Sequence, residues 1–194
     1  MKKTVLRLIA LSVLLAGPVH ALGATEIKGV TFDDTYQIGA ETLKLNGAGV
    51  RVKIIVNVYA AGLYVPRPDS NVARLIEADA PRSVQVVLLR KLTGEEFAEA
   101  MMDGFQANNS AAEVARFESQ LKYIRQTMLG MGTVAKGTVV NIDYLPGLGT
   151  RVLLQGKPVG EAVKGLDFNQ ALMRIWLGPD PVDTSLKRAL LGSK

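Results

Sequence analysis

The residues that could do chemistry are concentrated in one stretch, residues 47–65, with the sequence GAGVRVKIIVNVYAAGLYV. Its charged and aromatic side chains are Arg51, Lys53, Tyr59 and Tyr64, set among Val, Ile and Ala. The β-branched and aromatic residues predict a strand, and the nearly continuous apolar run from Ile54 onward predicts that both faces of this strand are covered. A charge at the head of a buried strand is costly unless an anion or a dipole meets it. Arg51 is therefore the first candidate for a binding or catalytic residue.

Arg51 and Lys53 are two residues apart, so a strand would place them on the same face of its sheet. One interpretation is an exposed edge with two solvated charges. The other places Arg51 at the mouth of an apolar cavity, where its guanidinium offers a bidentate fork to a carboxylate or enolate. Five methionines could line such a cavity or simply fill the core. They are Met101, Met102, Met128, Met131 and Met173.

Residues 1–21 have the pattern of a signal peptide. Three basic residues precede an apolar run, and small residues surround the predicted cleavage after Ala21, with Ala24 as the alternative. The apolar run is too short to span a bilayer, and no later run is longer, so no transmembrane segment is expected in the mature chain, residues 22–194. The protein is predicted to be exported, to the periplasm of a bacterium.

The composition excludes several classes of function. The leader holds three of the 23 basic residues and none of the 18 acidic ones, so the mature chain carries a charge of about +2 and no nucleic-acid partner is expected. There is no Cys, and the only His, His20, lies in the leader. A Ser-His or Cys-His nucleophile and a Cys/His zinc site are thereby excluded. Asp33 and Asp34 are interpreted as a solvated loop, and no metal or cofactor is expected.

Strand patterns lie before and after a central helical block. Strands are predicted within 27–38, 40–45, 82–92, 138–144 and 150–154, with turns at 47–49 and 146–149. Helices are predicted at 71–78 after Ser70, after the capping boxes Thr93–Glu96 and Ser110–Glu113 with a break at 106–109, and after Asp167 and Asp183. This order predicts one α+β domain, an antiparallel sheet with helices packed on one face.

Several motifs, in this order, resemble the chalcone isomerase superfamily. They are GAGVR at 47–51, GLY at 62–64, LTG at 92–94 opening a helix, FNQALMRIWLG at 168–178 and SLK at 185–187. The likeness covers most of the mature chain and is strongest to exported bacterial chalcone isomerase-like proteins. It implies an open-faced β-sandwich, in which a large antiparallel sheet carries a helical layer on one face with a ligand cleft between them.

The resemblance also implies a site. In plant chalcone isomerases an Arg steadies the phenolate of the substrate, helped by a Thr, a Tyr, an Asn and a Ser/Thr around the cleft. Arg51 falls on the position of that Arg, whereas the Thr is replaced by Tyr59 across a shorter hairpin and the Tyr by Phe97. The Asn is replaced by Gly104 and the late Ser/Thr by Ile175. These apolar replacements remove hydrogen-bond donors that would hold a polyphenol in a reactive geometry.

Three functions remain open on this basis. The favoured one is a non-catalytic protein that binds a small apolar molecule with an acidic head, such as a fatty acid, as non-catalytic relatives do. The second is an isomerase, an intramolecular lyase of chalcone-like substrates with Arg51 as electrophile, and the third is a structural or partner-binding envelope protein without a ligand. The predicted ligand-binding residues are Arg51, Tyr59, Phe97, Met101, Gly104 and Ile175. Nothing in the sequence specifies an oligomeric state.

Overall fold

The computed structural model describes residues 23–193, so the predicted signal peptide lies outside the described residues. The strands are β1 (Ala24–Ile27), β2 (Val30–Asp33), β3 (Thr35–Ile38), β4 (Glu41–Lys53), β5 (Val56–Val65), β6 (Arg82–Leu88), β7 (Leu92–Thr93), β8 (Thr133–Val134), β9 (Val139–Leu145), β10 (Gly149–Leu154) and β11 (Lys157–Val163). The helices are α1 (Val72–Glu77), α2 (Gly94–Asn108), α3 (Ala111–Arg116), α4 (Glu118–Gly130), α5 (Leu166–Leu177) and α6 (Thr184–Leu190). Within this range no helix is long and apolar enough to cross a membrane.

Seven strands form one antiparallel sheet in the order β11-β10-β9-β6-β5-β4-β3. Alternation along β6 shows how its two faces are divided: Val84, Val86 and Leu88 belong to the main core, whereas Val87 belongs to a smaller cluster on the opposite face. The main core joins the first face to helices α2, α4 and α5. The predicted α+β fold with a helical layer on one face of a large antiparallel sheet is confirmed.

The opposite face of the sheet is partly covered by the β1–β2 hairpin. Phe32 of β2 is fully buried in the smaller cluster, together with Leu43, Ala60 and Tyr64. Its ring lies directly over Gly62, where a Cβ would come within 2.8 Å of a ring carbon. A glycine is therefore needed at residue 62 for the β1–β2 hairpin to pack against β5.

Residues 47–65 form a hairpin rather than one strand. β4 continues to Lys53, β5 begins at Val56, and Ile54 and Ile55 make the turn. These two side chains are 92% and 87% exposed, so the prediction of cover on both faces from Ile54 onward is wrong. Burial begins at Val58 and continues to Val65. An aliphatic run without Gly, Pro, Asn or Asp gives no turn signal, which is why the pattern alone missed this turn.

The predicted turn at residues 47–49 is also wrong, because both glycines lie inside β4. They allow α6 to pack closely on the strand: a Cβ on Gly49 would come within 2.6 Å of the Ala189 Cβ. The Asn46 side chain donates to the Leu190 carbonyl at 2.7 Å, and the Val52 amide donates to Asp183 at 2.9 Å. The last helix therefore supports the strand that carries Arg51. The other predicted turn, between β9 and β10, is confirmed.

Three of the predicted helix starts are confirmed. Thr93 and Ser110 each form a capping box with the Glu three residues later, and Asp183 accepts a hydrogen bond from the Leu186 amide at 2.9 Å. The predicted break at 106–109 is placed too early, because α2 continues through Asn108 and only Asn109 of that range lies outside the helix.

Two predicted caps are wrong. Asn71 rather than Ser70 caps α1, because the Asn71 side chain accepts from the Arg74 amide. Gly165 occupies the cap position of α5, and Asp167 lies inside its first turn, where its carboxylate accepts from the Phe168 amide. When neighbouring residues have similar capping propensity, the sequence alone does not show which of them caps the helix.

Arg174 of α5 holds the helical layer together. Its guanidinium donates to Asn109 Oδ1 at 2.6 Å and to Glu113 Oε1 at 2.8 Å, which ties α5 to the junction of α2 and α3. The Glu113 carboxylate also accepts from the Ser110 amide. Arg174 and Ser110 together hold the pKa of Glu113 at about 2, below its ordinary 4.5.

We expect Glu113→Gln to lower the free energy of unfolding at pH 7 by about 1 kcal/mol. Because the pKa of Glu113 is lowered in the folded state, its stabilisation is complete above pH 4.5 and is lost as the pH falls toward 2. Urea unfolding of both proteins at several pH values should show the difference shrinking through this window. Glu118→Gln, which removes a carboxylate without a salt bridge in residues 23–193, is the control. A constant difference at all pH values would contradict the assignment.

Candidate ligand-binding site

A cavity of about 350 Å³ lies between the sheet and the helical layer. This volume is within the range of small-molecule sites. Its inner wall is almost entirely apolar, with contributions from four strands and three helices. The sheet contributes Val58, Val86, Val140, Ile142 and Val152, and the helices contribute Met101, Ile124, Met128, Leu172 and Ile175. Such a wall suits a hydrocarbon rather than a polar substrate.

The six residues predicted from the sequence all line this one cavity: Arg51, Tyr59, Phe97, Met101, Gly104 and Ile175. Arg51 comes from β4 and Tyr59 from β5, which face each other in the ladder. Phe97, Met101 and Gly104 lie on one side of α2, and Ile175 comes from α5. The residues taken from the family resemblance therefore surround a single cavity.

A β-bulge shapes the head of the cavity. Arg51 pairs with Tyr59 but Val52 pairs with Asn57, which leaves Val58 as the extra residue. A bulge allows two consecutive side chains to reach the same face, and both Val58 and Tyr59 line the cavity. The Arg51 guanidinium carbon lies 5.6 Å from the centroid of the Tyr59 ring, within cation–π range. The bulge thus brings Arg51 and Tyr59 together beside apolar lining.

Arg51 is a half-buried cation with unused hydrogen-bonding capacity. Its Nε is buried and has no hydrogen-bond partner. No carboxylate within residues 23–193 lies within 4.0 Å of its guanidinium nitrogens. A buried donor without a partner is costly, and an anion at this position would satisfy it. The interpretation of Arg51 as a solvated edge residue therefore does not hold.

Tyr59 is positioned by Trp176 of α5. The Trp176 Nε1 donates to the Tyr59 hydroxyl oxygen at 3.0 Å, and both side chains are buried. Burial raises the pKa of Tyr59, and this outweighs the opposing effects of the Arg51 charge and the Trp176 hydrogen bond. Tyr59 is therefore a neutral phenol at physiological pH. Its own proton has no acceptor among residues 23–193, so it is available to a ligand.

Gly104 and Ile175 form part of the wall where α2 meets α5. A Cβ on Gly104 would lie 2.9 Å from Ile175 Cγ2 and 3.1 Å from Val182 Cγ1. The absence of a side chain at Gly104 thus allows α2 and α5 to pack closely. The positions that correspond by resemblance to a polar Asn and a polar Ser/Thr are in mutual contact here and offer no donor.

Charged lining residues mark the mouth of the cavity. Arg51, Lys53 and Arg90 lie on the sheet side, and Glu99, Asp103 and Asp180 on the helical side. Arg90 forms a salt bridge with Glu96, in which Arg90 Nη2 lies 3.0 Å from Glu96 Oε1. Lys53 shares the rim with Arg51, as their two-residue spacing predicts, and it makes no salt bridge within the described part of the chain.

Some lining residues were not among those predicted. Trp176 lies within the FNQALMRIWLG motif, but its hydrogen bond to Tyr59 joins residues 117 positions apart, which no local pattern reveals. Of the five methionines with two open interpretations, Met101, Met128 and Met131 line the cavity, whereas Met102 and Met173 pack in the core. Within residues 23–193 no group of three or more His, Cys, Asp or Glu is placed to hold a metal ion.

Comparison with known families identifies the class of protein. The model of the chalcone isomerase-like family matches residues 24–192, nearly the whole described chain. The protein therefore belongs to the chalcone isomerase-like family, as the sequence motifs indicated. No curated protein matches the chain significantly.

A solved structure shares the fold. The crystal structure of an Arabidopsis thaliana fatty-acid binding protein superposes with a TM-score of 0.67 and 18% identity. The alignment covers 84% of this chain and 92% of that one. At this level of identity the likeness establishes the common fold.

Proposed function

We propose that this protein is an exported, non-catalytic binding protein whose cavity holds a small apolar molecule with an acidic head, a long-chain fatty acid by chemical type. The observation that carries the proposal is Arg51, a half-buried cation with an unpartnered Nε at the head of an apolar cavity. The carboxylate accepts from the Arg51 guanidinium and from the Tyr59 hydroxyl, and the acyl chain lies along the valines and methionines of the wall. Each buried methylene contributes about 0.8 kcal/mol.

The composition of the wall argues against catalysis. Arg51 and Tyr59 can bind the two oxygens of one carboxylate. The side chains at residues 97, 104 and 175 have no hydrogen-bond donor that could orient or polarise any other part of a substrate. The binding of a fatty acid requires only an anchor and an apolar channel. The Arabidopsis neighbour, which is described as a fatty-acid binding protein, supports this proposal by analogy of fold.

Export is supported by the signal-peptide pattern of residues 1–21, and a periplasmic location in a bacterium follows from it. The test is the intact mass of the protein purified from the producing cell. Cleavage after Ala21 leaves Leu22 as the first residue, and cleavage after Ala24 leaves Thr25. A mass that includes the leader would contradict this part of the proposal.

We expect delipidated mature protein to bind palmitate at least about tenfold more tightly than hexadecanol or methyl palmitate, because only the acid forms charge-assisted bonds with Arg51. Isothermal titration with the three ligands measures this directly, and native mass spectrometry shows whether fatty acid co-purifies. Equal affinity for all three, or no binding by any, would contradict the proposal. Chalcone turnover that disappears in Arg51→Ala would instead establish the isomerase alternative.

A further inference from the structure

The tip of the β4–β5 hairpin, residues 52–56, exposes a contiguous aliphatic surface. Val52, Ile54, Ile55 and Val56 are 41%, 92%, 87% and 47% exposed. The other large apolar side chains that are exposed within residues 23–193 do not adjoin one another in sequence: Tyr123, Leu129 and Leu148. A cluster of exposed aliphatic residues on a protruding turn marks an interaction site.

The backbone of the tip reinforces this interpretation. Ile54 has φ of 61°, a left-handed conformation that is unfavourable for a β-branched residue, whereas Ile55 is not left-handed. A two-residue hairpin with positive φ only at its first position normally has Gly there. The chain thus keeps an isoleucine where glycine would fold more easily, and retained strain of this kind is typical of functional positions.

The charged side chains of the hairpin itself are basic, although Asp183 at the start of α6 accepts a hydrogen bond from the Val52 amide. Residues 50–64 include Arg51 and Lys53 but no acid. Arg90 and Lys91 follow β6, and the Leu89 amide donates to the Val58 carbonyl, so this segment runs beside β5. The acidic residues of the mouth, Glu99, Asp103 and Asp180, lie on the helical side. The hairpin side therefore presents aliphatic residues above a basic rim.

We propose that the hairpin tip inserts into the surface of an anionic lipid bilayer. Ile54 and Ile55 enter the acyl region, while Lys53 and Lys91 contact headgroup phosphates through their long side chains. A protein partner is disfavoured, because four aliphatic side chains on one turn provide far less than the roughly 800 Å² per partner of a stable interface. Since Arg51 and Lys53 also line the mouth, insertion sets the cavity opening against the membrane. The docking is inferred from the tip alone and does not depend on which ligand the cavity holds.

The test uses mature protein and large unilamellar vesicles of equal parts phosphatidylglycerol and phosphatidylcholine, with phosphatidylcholine vesicles for comparison. We expect cosedimentation with the anionic vesicles, and a partition coefficient at least about tenfold lower for the double variant Ile54→Gly/Ile55→Asn. Gly-Asn suits the turn, so this variant should unfold at the same or a higher temperature. Lys53→Gln should weaken partition about fivefold, and Leu148→Asn, at another exposed turn, should leave it unchanged.

Unchanged partition of the double variant, or no vesicle binding by the parent protein, would overturn the proposal. The proposal would also be overturned if sedimentation equilibrium showed the parent protein as a dimer and the double variant as a monomer. The tip would then bind a second copy of the chain. Palmitate titration without vesicles separates this proposal from the ligand assignment. The double variant should keep the parent affinity, because neither isoleucine lines the cavity.

Discussion

Replacing Arg51 with glutamine is expected to weaken palmitate binding about 100-fold while changing hexadecanol binding less than about threefold. Glutamine retains polarity at the head of the cavity but loses the charge and the bidentate fork. The hydrocarbon wall is unaltered, so the affinity that comes from burial of the chain persists. Parallel titrations of the two ligands with the parent and variant proteins measure the two changes separately.

Two further variants define the role of Arg51. Lys53→Gln removes a cation of the same rim, and because Lys53 is exposed we expect less than about a threefold effect on palmitate. Arg51→Lys should keep part of the affinity, since the ammonium supplies charge without the fork. An equal loss for acid and alcohol in Arg51→Gln would indicate a collapsed cavity, and no loss for the acid would place the anchor elsewhere.

Arg82→Met is expected to lower the free energy of unfolding by about 3–5 kcal/mol. Arg82 is only 2% exposed, and its guanidinium donates to the carbonyls of Leu75, Ile76 and Ala78, at the end of α1. Its plane also lies over the Tyr144 ring at 5.1 Å. Burial lowers the pKa of Arg82 to about 10, so it remains charged at pH 7. Methionine fills similar volume but leaves the buried carbonyls of Leu75 and Ile76 without donors.

Arg74→Ala is the matched control for Arg82, since Arg74 belongs to the same helix end but is largely exposed. Its salt bridge with Asp69, at 2.6 Å, is a solvent-exposed pair, so we expect a much smaller loss of stability for Arg74→Ala than for Arg82→Met. Urea unfolding at pH 7 compares the two variants. Similar losses for both would show that α1 is stabilised mainly by its apolar face, and the role assigned to Arg82 would be wrong.

The sequence predicted the architecture because its signals are local. The capping boxes at Thr93 and Ser110 fix two helix starts, and the alternation of Val84, Val86 and Leu88 fixes the core face of β6. β11 (Lys157–Val163) was missed because four of its seven residues are exposed and Gly160 interrupts the pattern. The short β7–β8 pair was missed because it depends on a tertiary contact between α2 and the end of α4.

The candidate site was reached by resemblance rather than by pattern. The spacing of Arg51 and Lys53 predicted a shared face, but only the family motifs connected Arg51 with Phe97 and Ile175. The bulge at Val58 and the bond between Trp176 and Tyr59 could not be foreseen, because they depend on register and long-range packing. The turn at Ile54 contradicts local turn preference, and violations of local rules are expected at functional sites.

The support that α6 gives to β4 has a consequence for the order of folding. The hydrogen bonds from Asn46 to Leu190 and from Val52 to Asp183 join residues 144 and 131 positions apart. Contacts of such long sequence separation close late and slowly. A chain emerging from a ribosome or a translocation pore can form its β-hairpins early, but it can fix the Arg51 strand only after its final helix is released. The support that α6 gives to β4 is therefore completed only after the rest of the chain has been released.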